Sequence, residues 1–108
     1  MTDRLMSLLG LCRRAGKIVL GFDPVIDSIY QKKSKLVIIA SDCSQHTAKG
    51  VLRTAHMNNV KAYVVPYTKE DISLAVGKYT AVLSITDDGF AKKADTLICS
   101  LERTLKED

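Results

Sequence analysis

No apolar run in this chain approaches the roughly 18 residues that span a bilayer, and the opening MTDRLMSLLGLCRRAGK lacks the hydrophobic block behind a basic leader that marks a signal peptide. A membrane partner is therefore not expected, and a cytoplasmic location is. Cysteine is sparse. Cys12, Cys43 and Cys99, an odd number at wide and irregular spacing, suit neither a disulfide framework nor a zinc site. Each lies in apolar or helix-start surroundings, so buried thiols are expected. Repeats, low-complexity segments and long polar linkers are missing too. The 108 residues fit one domain with one core, whose last few residues are expected to fray.

Patterns for chemistry are equally thin. Gly16 and Gly21 satisfy the first half of the nucleotide-binding pattern G-x-x-x-x-G-K-S/T, but Phe22 and Asp23 stand where its lysine and hydroxyl should be. The intervening KIVL also has the character of a strand, not of a phosphate-wrapping loop. His46 and His56 are ten residues apart within one expected helix, nearly three turns, which is too far for joint ligation of a metal. Asp87-Asp88 and Glu70-Asp71 are adjacent acids at helix starts, where the dipole favours them without any catalysis. No catalytic residue, cofactor or metal is expected.

What the chain does have is a localised positive charge. Residues 1–36 hold seven Lys/Arg against three Asp, and residues 37–108 hold nine against nine, so the first third carries the whole net charge of +4. Such an excess is the footprint of a nucleic-acid binder or a solvated, solubilising surface.

Helical and strand patterns alternate from end to end. Leu5, Leu8, Leu9 and Cys12 mark one helix face, with Arg13 and Arg14 in the last turn and Gly16 as its C-terminal cap. Lys17–Leu20 is a short strand. Asp23 before Pro24 predicts an N-cap and a helix burying Val25, Ile26, Ile29 and Tyr30. Lys35–Ala40 is a continuous β-branched run, a strand covered on both faces. Ser44 or Thr47 caps a third helix with Ala48, Val51, Leu52 and Ala55 inward. Ala62–Val65 is a third strand, and Thr68 and Asp71 form a capping box before a short helix through Ile72, Leu74 and Ala75, ended by Gly77. Ala81–Ile85 is the fourth strand, and a last helix turns Phe90, Ala94, Leu97, Ile98 and Leu101 inward. The sum is an α/β protein, an α/β/α sandwich around a small sheet of four strands.

The junction RRAGKIVLGFDP offers one physical case for RNA. Gly21 allows close approach of a backbone, the following helix start offers free N–H groups, Phe22 is placed to stack or wedge, and Arg13, Arg14 and Lys17 supply charge. Equally, Gly21 is a plain turn, Phe22 a hydrophobic staple and the arginines C-terminal helix charge. The segments GKIVLGF, KSKLVIIASDCS and LAVGKYTAVLSITD, in order and spacing, resemble the family of ribosomal proteins L7Ae and L30e, kink-turn RNA binders with a three-layer α/β/α fold and a small mixed sheet. The sequence DDGFAKK after the last strand is similar to its small bacterial, YlxQ-like branch. The resemblance covers residues 4–94 and implies a structured RNA partner, ribosomal RNA first among candidates, with ribosomal or translation proteins as possible companions and no DNA. It implies that Gly21, Phe22 and Asp23 meet the sheared G·A pairs of a kink-turn and that the loop Gly77-Lys78-Tyr79 helps hold the extruded nucleotide; Arg13, Arg14, Lys17 and Lys78 are expected to neutralise phosphates. Asp23, Pro24 and Asp27 depart from the polar and basic residues of the best-known kink-turn binders. Those departures motivate a second reading, a protein-interaction module of the translation machinery that keeps the fold and has lost the RNA site.

Overall fold

The computed structural model describes residues 3–107, with side chains described through Leu101. The first helix, α1 (Arg4–Arg14), starts where the Asp3 carboxylate accepts the Met6 N–H at 3.0 Å. It buries Leu5, Leu8, Leu9 and Cys12. It stops at Gly16, whose φ of +70° lets the Lys17 N–H donate to the Cys12 carbonyl and its own N–H to that of Arg13, a Schellman closure. Then follow β1 (Ile18–Leu20), α2 (Phe22–Tyr30), β2 (Leu36–Ile39), α3 (Gln45–Met57), β3 (Ala62–Val64), α4 (Lys69–Val76), β4 (Val82–Ile85) and α5 (Asp88–Glu107).

The sheet order is β1-β4-β2-β3, with β4 antiparallel to both neighbours and β2 parallel to β3. Alternation along β2 shows why the strand is apolar throughout. Leu36 and Ile38 enter one core with α1, α4 and α5, while Val37 and Ile39 enter a second with α2 and α3. Both faces of the sheet are covered, which is the expected three-layer α/β/α arrangement. The fully buried Ser84 hydroxyl donates to that of Ser34 at 2.6 Å, so the polar group in the central strand is satisfied. Among the described residues no helix is long and apolar enough to cross a membrane.

Of the two candidate caps of α3, Ser44 is the one used, its hydroxyl accepting the Thr47 N–H. Other expectations are corrected. Tyr30, Leu52 and Leu74 lie at the surface, with Leu74 82% and Tyr30 64% exposed. Each sits at the margin of an amphipathic stripe, where helical periodicity gives the angle of a side chain but not the width of the neighbouring layer. Of the thiols, Cys12 is buried, Cys43 partly so, and Cys99 exposed on the outer side of α5. The expected fraying of the last few residues falls on side chains beyond Leu101 and on Asp108, outside the described residues.

Two hydrogen bonds define the ends of the sheet. The Gly21 N–H donates to the Val82 carbonyl at one end, and the Thr86 N–H donates to the Lys17 carbonyl at the other.

Candidate nucleic-acid interface

β1 passes into α2 through one residue. Gly21 makes the turn at φ 98° and ψ 158°, a region open essentially to glycine alone. Gly21 is also the N-cap of α2, which corrects the expectation for Asp23: helical geometry begins at Phe22, and Asp23 stands exposed in the first turn. Pro24 is compatible with this because a first-turn residue needs no N–H. The first intrahelical bond runs from the Val25 N–H to the Gly21 carbonyl at 3.0 Å, leaving the N–H groups of Phe22 and Asp23 without an intrahelical acceptor.

Phe22 is 42% exposed. Its ring rests on α3 at Gly50, where an added Cβ would stand 3.6 Å from Phe22 Cε1. One edge of the ring is therefore held, and part of the side chain is open to solvent. The second half of the site is the loop from α4 to β4. Gly77, left-handed at φ 80°, closes α4, and Lys78 and Tyr79 follow, both exposed. Lys69 Nζ lies 5.8 Å from the centre of the Tyr79 ring, a cation–π distance, while the Lys69 N–H donates to the Asp42 carboxylate at 2.8 Å. The Thr80 hydroxyl then donates to the Val82 carbonyl at 2.6 Å, the same oxygen that accepts the Gly21 N–H at 3.1 Å. One carbonyl thus ties the Gly21–Asp23 turn to the Gly77–Thr80 loop.

The structure brings together Gly21, Phe22 and Asp23 with the loop carrying Lys78 and Tyr79, and places Arg13, Arg14 and Lys17 elsewhere. Lys17 bonds Thr86 at the far end of β1, about 13 Å from Gly21 at strand rise, and Arg13 and Arg14 close α1 just before it. Three residues of the site escaped the sequence reading. Lys69 was absorbed into a capping box and Thr80 lies in a loop without local pattern. Gly50 did leave a signal, because a glycine inside a helical pattern costs about 1 kcal/mol and so draws attention to its position.

Reactive groups are subdued. Burial, with Asp87 nearby, pushes the Cys12 thiol up to about 11, and burial raises Cys43 as well, so neither supplies a thiolate near neutral pH. Burial and the hydrogen bond to the Asp3 carboxylate push Tyr67 up to about 12. His46 and His56 are both exposed on α3. Among the described residues no three His, Cys, Asp or Glu side chains are grouped to hold a metal ion.

Residues 3–95 match the model of the ribosomal protein L7Ae/L30e/S12e/Gadd45 family. The chain belongs to this family. It is 36% identical over 96 residues to "RNA-binding protein YlxQ" of Enterococcus faecium, covering 89% of this chain and 92% of that one. To the protein of the same name from Bacillus subtilis (strain 168) it is 38% identical over 96 residues, covering 84% and 91%. A solved protein of unknown function from Bacillus halodurans C superposes with a TM-score of 0.86 at 31% identity, covering 90% of this chain and 98% of the other. The two YlxQ relatives carry RNA-binding names.

Proposed function

We propose that this family member is a cytoplasmic RNA-binding protein that docks on a kinked, structured RNA, ribosomal RNA first among candidates, and stabilises its bent form without chemistry. The observation that carries the reading is the convergence at the Val82 carbonyl: the Gly21 turn and the Gly77–Thr80 loop are hydrogen-bonded to one oxygen at the same end of the sheet, which also carries two exposed aromatic rings and two lysines. Sheared or extruded bases need stacking surfaces and edge contacts, and phosphates need fixed cations. Phe22 and Tyr79 supply the surfaces, and Lys78 and Lys69 the charge.

Asp23 has a specific part. An ionised carboxylate is acceptor-only, so it pairs with the imino and amino donors of guanine and repels phosphate. Together with Asp27, exposed one turn further on, it directs phosphates away from α2 towards the Lys78 side. The same two acids also favour the second reading, a protein-interaction module, because they remove cationic contacts from the helix start.

The reading is tested by titrating the isotope-labelled protein with a kink-turn RNA and following backbone amide resonances. Shifts centred on Gly21–Asp23 and Lys78–Thr80 are expected. Shifts confined to other surfaces would contradict it.

A further inference from the structure

The positive excess of the first third is not at the end of the sheet that carries Gly21. Arg13 and Arg14 close α1, Lys17 precedes β1, Lys32 and Lys33 follow α2, and Lys35 precedes β2, its N–H donating to the Ile85 carbonyl. All six therefore gather at the opposite end. Lys35 pairs with Asp88 at 3.8 Å, whereas the other five make no ion pair among the described residues. Charge that completes helix C-termini accounts for Arg13 and Arg14 but not for Lys17 or Lys33.

Two further features lie at this end, independent of charge. Tyr30, in the last turn of α2 and close in sequence to Lys32 and Lys33, is 64% exposed. Between the ends of α2 and α3 lies a cavity of about 410 Å³, lined by Ile29, Val60, Lys32, Lys35, Asn58 and Asn59. The Asn58 amide is anchored by donating to the Thr54 carbonyl at 2.8 Å. Lys32 and Asn59, the residues just past the C-caps of α2 and α3, both adopt positive φ, 61° and 59°.

We propose that this cavity and its basic rim form a second RNA-contacting site, which takes an unpaired nucleotide and its flanking phosphates. A base seated in the cavity presents its edge to Asn58 and Asn59, groups that donate and accept, with Lys32 in the same lining, while Tyr30, Lys33 and Lys17 at this end of the sheet extend the surface for a flanking base and the backbone. Stacking aromatics interleaved with cations are what single-stranded RNA requires. An acidic peptide would need apolar anchors, and among the described residues lining the cavity only Ile29 and Val60 are apolar. The chain would then hold two RNA segments, one at each end of its sheet. This inference extends the RNA-binding reading but stands on separate residues.

The test uses the full chain and an unstructured single-stranded RNA of about ten nucleotides, with fluorescence anisotropy over a salt series. Binding is expected to weaken steeply with salt. Affinity should fall about tenfold in Tyr30→Ala and in Lys32→Glu/Lys33→Glu, recover in Tyr30→Phe, and be unchanged in Phe22→Ala. The oligonucleotide should also bind when the Gly21 end is saturated with kink-turn RNA. Three results would overturn the proposal: no binding at low salt, loss of binding in Phe22→Ala alone, or displacement by a polyglutamate peptide as readily as by RNA. If the kink-turn RNA fails to bind while the oligonucleotide binds with this mutational pattern, the reading of the Gly21 end fails and this site stands.

Discussion

Gly21 and Thr80, 59 residues apart in sequence, meet at one oxygen: the Gly21 N–H and the Thr80 hydroxyl both donate to the carbonyl of Val82. The pair fixes the spacing of the two loops at this end of the sheet. Thr80→Val removes the hydroxyl but leaves the carbonyl paired with Gly21, so it should cost only about 1 kcal/mol of stability, measured by thermal unfolding. Binding to kink-turn RNA should weaken by several-fold, because the Lys78–Tyr79 loop loses its tether. Gly21→Ala strains the backbone at φ 98° and should cost about 1–3 kcal/mol.

Two glycines inside helices should respond in opposite ways to alanine. At Gly50 an added Cβ meets only the Phe22 ring at an ordinary 3.6 Å. Gly50→Ala should therefore gain roughly 0.5–1 kcal/mol from helix propensity without disturbing the ring. At Gly10 the added Cβ would stand 3.2 Å from the backbone carbonyl of Ala75, which cannot rotate away, and the same substitution should bring no gain or a loss. Paired chemical denaturation curves check both.

The sequence showed the layers and hid the loops. Strands covered on both faces, such as Leu36–Ile39, announce themselves by composition, and the capping box at Thr68 and Asp71 forms as its residues indicate. The N-cap of α2 was misassigned because Asp23 before Pro24 is a strong local signal, yet the chain is already helical one residue earlier, once Gly21 has turned it. The cationic residues were legible as an excess but not as a location. Arg13, Arg14 and Lys17 lie close to Gly21 in sequence and one strand length away in space, since an extended segment separates its ends as far as a chain can.

That separation yields a charge prediction. Lys78→Ala should lower the slope of log affinity against log salt for kink-turn RNA by about one phosphate contact. Lys17→Ala, at the other end of β1, should leave that slope unchanged. Equal effects of the two substitutions would mean that the RNA runs along the whole β1 edge.

Acid should destabilise the protein partly through Asp95. Its carboxylate accepts from Lys61 Nζ at 2.8 Å and from the Tyr63 hydroxyl at 2.6 Å, and these bonds hold it below the ordinary value of 3.8. With the folded value lowered, the stabilisation is present above the unfolded value and disappears as pH falls through the folded one. Asp95→Asn should therefore flatten the loss of stability below about pH 4. Tyr63→Phe should cost about 1 kcal/mol at pH 7 and lessen the acid loss, both read from unfolding curves over a pH series.

The central claim, that the Gly21 end recognises a kinked RNA, is met most directly by comparing the affinity of the purified protein for a kink-turn RNA and for a straight duplex of matched length and composition, in the wild type and in Phe22→Ala. Preference for the kink-turn of at least tenfold, reduced by Phe22→Ala with the fold intact, is the predicted result, since a stacking contact is worth about 1–3 kcal/mol. Equal affinity for the two RNAs, or a preference that Phe22→Ala leaves untouched, would contradict it.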